Sequence, residues 1–95
     1  MATPEKGAAA LAALESGFRL LQTGRFAEAL QLLRQVVEVL PAEGRAWLGL
    51  GFCNFKLGDH RRATEAFAEA RLWPGGTAAA ADIFDARALH ALGEL

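Results

Sequence analysis

Shifted against itself by 34 residues, the chain pairs Leu14 with Leu48, Gly17 with Gly51, Phe18 with Phe52, Gly24 with Gly58 and Ala29 with Ala63. Leu33 then pairs with Phe67 and Val36 with Ala70. A period of this kind constrains the fold strongly, because each repeat must be one supersecondary unit that buries its apolar side against its neighbour. The chain is rich in Ala and Leu, contains no Tyr and has few β-branched residues. Summed propensity therefore makes the unit helical rather than extended, and the expected fold class is all-α.

Local punctuation divides each unit into two helices. Thr23-Gly24 and Leu57-Gly58 place a glycine able to adopt positive φ at the end of each first helix. Asp59 is suited to cap the helix that follows, by accepting a hydrogen bond from a free backbone N–H. Pro41 and Pro74 stop the second helices. Helices are expected near 6–23, 26–40, 44–57, 60–72 and 77–92. Two helices that cross closely need small residues at the crossing, and Gly17, Gly51, Ala29 and Ala63 supply them.

Trp47, Leu50 and Gly51, then Asn54 where Tyr is usual, then Ala63 and Phe67 resemble the tetratricopeptide motif W-x2-L-G-x2-Y followed by A-x3-F and a proline. That resemblance implies a single domain over 1–95, with one repeat at about 8–41 and a second at about 42–75. A fifth helix within 77–95 begins a third repeat. There Leu92-Gly93-Glu94 echoes Leu57-Gly58-Asp59, one residue out of register, and the Pro74-Gly75-Gly76 linker absorbs the extra residue. Such a helix either caps the apolar flank of the last hairpin or leaves Phe84, Leu89 and Leu92 to a partner or further segment.

Ten basic residues against eleven acidic ones give a net charge of −1. Neither nucleic acid nor an anionic membrane finds an electrostatic footprint in that balance. Cys53 is the only cysteine, which excludes an internal disulfide and reads as a small buried residue in a reducing compartment. His60 and His90 stand apart from any cluster with metal-ligand spacing, so no metal or cofactor is expected. The longest apolar run, 8–14, falls far short of the roughly 20 residues that span a bilayer. No secretory leader is recognisable, and a cytoplasmic location is the simplest expectation.

First helices of successive hairpins line the concave side of a repeat array, and second helices form its outer layer. Helical spacing puts Leu11, Leu14, Phe18 and Leu21 on one stripe of the first helix, and the repeat carries that stripe to Leu48, Phe52 and Phe55. Ile83, Arg87 and His90 extend it onto the fifth helix. Leu20, Trp47, Leu50 and Cys53 form the face turned toward the partner helix, which makes the stripe surplus to hairpin packing. Apolar surface of that kind marks a binding site. The expected partner-binding groove therefore comprises Leu14, Phe18, Leu21, Leu48, Phe52, Phe55, Ile83 and Arg87. The partners implied are an apolar segment of another protein or a second copy of the chain, giving a homodimer. Mutual burial of these residues is the competing expectation. A carboxylate clamp is disfavoured, because Leu14, Phe18, Gly49 and Phe52 stand where Lys, Asn and Arg would be needed. Arg45 and Lys56 sit at the rim.

The run 17–29, GFRLLQTGRFAEA, resembles the first-repeat signature of the class II chaperones of type III secretion, which bind hydrophobic translocators. Arg45-Ala46-Trp47-Leu48-Gly49-Leu50-Gly51-Phe52-Cys53 is similar to that family's R-x-x-L-G-L-G-A-C segment. The run 84–95, FDARALHALGEL, resembles its F-H-A-A-E-C-x-x-x-x-G-E-L stretch. The resemblance spans 17–95. It implies a concave groove that accepts an extended, proline-flanked apolar motif and keeps a membrane-active cargo soluble until export. Phe18, Leu21, Leu48, Phe52 and Phe55 fall on its groove-lining positions. Members of that family usually carry about three full repeats and an N-terminal helical arm, whereas this sequence reaches only the first helix of a third repeat. Needle-protein and export-gate chaperones of the same secretion machines are short repeat proteins of similar size and remain an alternative.

Two further functions compete. A general scaffold would meet a folded partner through the outer helices, where Arg25, Glu28, Arg34, Glu65 and Glu69 are expected to be exposed. An enzyme would need the Asp82 and Asp85 pair, or Asp59 beside His60, to do acid–base chemistry. Neither pair has a nucleophile, metal cluster or phosphate loop nearby, so both read as solvated helix faces and the chain as non-catalytic.

Overall fold

The structure, a computed structural model, describes residues 4–73. Four helices follow one another: α1 (Pro4–Gln22), α2 (Phe26–Val39), α3 (Gly44–Lys56) and α4 (His60–Arg71). No strand occurs among the described residues. The expected helix over 77–92, with Ile83, Arg87, Asp82 and Asp85, lies outside them. α1 begins two residues earlier than anticipated, because a proline at the first helical position sacrifices no intrahelical hydrogen bond.

Both hairpins close by the same device. Gly24 has φ +83° and Gly58 φ +87°, a conformation that costs glycine nothing. In the first turn the Arg25 N–H donates to the Leu20 carbonyl at 2.8 Å and the Gly24 N–H to Leu21 at 3.1 Å. In the second, Asp59 donates to Asn54 at 2.8 Å and Gly58 to Phe55 at 3.1 Å. This pairing satisfies carbonyls that a bare helix end leaves open. The two turns differ in their helix starts. Asp59 accepts a hydrogen bond from the Arg62 N–H at 3.2 Å and caps α4 as its sequence implies. Arg25, its counterpart, provides no side-chain cap to α2 and pairs instead with Glu28 at 3.1 Å.

Packing runs from α1 to α2, from α2 to α3 and from α3 to α4, with a smaller contact between α1 and α3. Leu33 of α2 is fully buried and fills the space beside two glycines of different first helices. A Cβ on Gly17 would lie 3.0 Å from Leu33 Cδ2, and one on Gly49 2.7 Å from Leu33 Cδ1. In the second hairpin a Cβ on Gly51 would run into the Phe67 ring, itself fully buried. Small residues therefore sit at the crossings as expected, facing the large side chain of the opposite helix. Each such buried Leu or Phe contributes about 1.5–3 kcal/mol of transfer free energy.

Candidate partner-binding groove

Of the groove residues read from the sequence, Leu14 is misplaced. It is 2% exposed and packs in the core with Ala29 and Leu33 of α2 and with Ala46 and Leu50 of α3. No guest can reach it, because α2 and α3 close over it from two sides. Leu11, one turn earlier, is 46% exposed and keeps the N-terminal end of that stripe open.

Phe18, Leu21, Leu48, Phe52 and Phe55 are all partly buried. Phe18 reaches from α1 to α3, where its ring edge lies 3.5 Å from the point a Cβ on Gly49 would occupy. Leu21 packs on the same core as Phe18. Leu48 and Phe55 pack against Ala63 and Phe67 of α4. These side chains are thus not surplus to hairpin packing, as the sequence suggested. They share their surface between the interior and the exterior.

Phe52 carries the most elaborated surroundings. Its ring centroid is 5.9 Å from that of Phe26 at an interplanar angle of 60°, and the Lys56 ammonium stands 5.5 Å over its face. Both geometries suit a ring with a negative face and positive edge. One turn on, the Phe55 ring meets His60 edge-on at 5.1 Å. His60 thus serves as an aromatic neighbour and Asp59 as a helix cap that also pairs with Arg62 at 3.5 Å. That occupies the one described acid–base pair considered from the sequence. Among the described residues no group of three or more His, Cys, Asp or Glu is placed to hold a metal ion, and no helix is long and apolar enough to cross a membrane.

Arg45, at the other end of α3, donates to the Glu43 carboxylate at 3.0 Å, and this hydrogen bond holds Glu43 below the ordinary carboxylate range. Burial pushes the Cys53 thiol up to about 11, which makes it an inert core residue as expected.

Sequence reasoning missed two features. The Trp47 Nε1–H donates to the Pro41 carbonyl at 2.8 Å, fixing the indole against the α2–α3 linker. Beside it opens a cleft of about 460 Å³ between the outer helices α2 and α4, floored by α3. Its signal was Asn54, a small side chain at a position where the repeat usually carries an aromatic ring.

No curated protein and no solved structure matches the chain significantly. A family model described as tetratricopeptide repeat matches residues 14–77, a span that contains both described crossings, both glycine turns and the partly exposed Phe18 and Phe52. Repeats of this family are protein–protein interaction modules and are generally non-catalytic. With paired helices, period and family model in agreement, the chain belongs to the tetratricopeptide-repeat family.

Proposed function

We infer that the protein is a non-catalytic chaperone-like module that holds an extended apolar segment of another protein along the concave surface of α1 and α3. The observation that carries this reading is the line of partly exposed apolar side chains running from Leu11 through Phe18 to Phe52, with the Lys56 cation at its end. Filling such a surface gains roughly 1.5–3 kcal/mol per buried Leu or Phe before ordering costs. Three such anchors supply roughly 4.5–9 kcal/mol gross, so after ordering costs the affinity expected for a short segment is weaker than micromolar.

The sequence resemblance to class II secretion chaperones gives this cargo a class: a membrane-active, apolar translocator segment kept from aggregating before export. Leu14 takes no part. Leu21, Leu48 and Phe55 contribute only the edges that core packing leaves open, and the same surface would support a homodimer in the absence of cargo. Ile83 and Arg87 belong to this reading by their place in the repeat period alone, since they lie outside the described residues.

The test is coexpression with a hydrophobic type III translocator, followed by affinity capture and sizing. A soluble stoichiometric complex is expected, lost in the Leu11→Asp/Phe52→Asp double variant while helical circular dichroism is retained. Failure of the wild-type chain to keep such a cargo soluble sinks the cargo class. Capture that survives both substitutions sinks the concave site.

A further inference from the structure

The cleft between α2 and α4 has a composition that the concave face lacks. No Cα of α2 comes within 8 Å of one in α4, so the two outer helices stand apart and α3 forms the floor between them. That floor is apolar and nearly buried. Leu50 is 5% exposed, and Trp47, tethered through its Nε1–H to Pro41, presents its indole beside it, while Ala66 on the α4 wall is 6% exposed. Asn54 marks the inner end; it is 7% exposed and donates its own amide to the Leu50 carbonyl at 3.0 Å.

The rim is charged, and the charges do not cancel. Glu38 on α2 and Glu65 and Glu69 on α4 line the cleft, and none of them enters an ion pair among the described residues. Of the two rim guanidiniums, Arg62 is drawn to Asp59 at 3.5 Å, which leaves only Arg34 to oppose three carboxylates. An indole face also favours a cation over an anion. A cleft near 460 Å³ lies in the ordinary range of ligand pockets, roughly 300–1,000 Å³, and has room for one or two large side chains rather than a whole helix.

From this geometry we propose a second docking site on the convex side, which takes a short peptide segment of a partner protein bearing a large apolar side chain flanked by lysine or arginine. The apolar side chain enters between Trp47 and Ala66, and the flanking cations meet Glu65 and Glu69. The site is independent of the concave surface, so the protein engages cargo and a second protein at the same time.

The experiment uses the full chain carrying Trp73→Phe, in which Trp47 is the sole indole, titrated with a blocked hexapeptide of alternating leucine and lysine. The expected result is a saturable change in Trp47 emission, with affinity at least tenfold weaker for the leucine–glutamate counterpart. Glu65→Lys/Glu69→Lys is expected to weaken the leucine–lysine peptide at least tenfold. Asn54→Tyr restores the family's bulky residue, fills the inner end of the cleft and is expected to do the same. Leu11→Asp, on the concave side, is expected to leave this binding unchanged. Absence of a saturable change overturns the proposal, as does equal binding of the two peptides or retention of binding in Glu65→Lys/Glu69→Lys. Loss of binding in Leu11→Asp overturns it by assigning the peptide to the concave surface. Should Asn54→Tyr lose its helical circular dichroism, the charge-reversed pair decides alone, since Glu65 is exposed and Glu69 only half-buried on the outer helix.

Discussion

Leu33 Cδ1 lies 2.7 Å from the place where a side chain on Gly49 would begin, so a leucine of the first hairpin depends on a glycine of the second. The contact couples the repeats. It keeps α3 close enough to α2 that Leu33, Val36, Ala46 and Cys53 share one interior.

Glycine-to-alanine substitutions at the crossings are predicted to follow the rigidity of what they strike. Gly51→Ala meets the fully buried Phe67 ring and should destabilise most, by about 1–3 kcal/mol net. Gly49→Ala strikes the end of Leu33 and should cost less. Gly17→Ala, at 3.0 Å, should be nearly neutral, because alanine returns about 1 kcal/mol of helix propensity. Urea unfolding of the three variants gives the order directly.

The unequal helix starts predict opposite responses at equivalent positions. Asp59→Ala removes the cap on α4 and should cost about 1 kcal/mol. Arg25→Asp should stabilise α2 by a few tenths to 1 kcal/mol, since it adds a missing cap and gives up only an exposed ion pair. Thermal melts of both variants, together with the double variant, check that the effects add.

Truncating Phe67 to alanine empties the middle of the α3–α4 hairpin. A loss of about 3–5 kcal/mol is expected, enough to unfold much of a domain this small. Leu72→Ala, by contrast, removes a side chain that is 68% exposed and should change stability by less than about 0.5 kcal/mol. Equal effects in chemical denaturation would contradict the packing described.

Stability should fall at both ends of the pH scale for separate reasons. Cys53 is kept neutral in the fold with its pKa raised from 9.0 to about 11, so its contribution is intact below about 9.0 and declines as pH climbs toward about 11. Glu43 is lowered by the hydrogen bond from Arg45, so its contribution is present above 4.5 and disappears as pH drops further. Cys53→Ala should flatten the alkaline arm and Glu43→Gln the acid arm in denaturation midpoints recorded across pH. In the native state Cys53 should react with thiol reagents only as fast as the chain unfolds.

The hairpins, their turns, the α4 cap and the small residues at the crossings were readable from the sequence, because each answers a demand confined to a few neighbouring residues. Positive φ needs glycine, a free N–H needs an acceptor, and a close crossing excludes bulk. The candidate site was less legible. Leu14 and Leu48 are the same residue at the same repeat position, yet Leu14 is shut in by α2 and α3, while Leu48 packs on α4 and stays partly exposed. Periodicity fixes which face of its helix a side chain occupies, but burial depends on which helix lies over that face. The α2–α4 cleft likewise follows from the spacing of two helices whose Cα atoms stay more than 8 Å apart. No local pattern in the chain encodes that distance, and only the stacking of the repeats decided it.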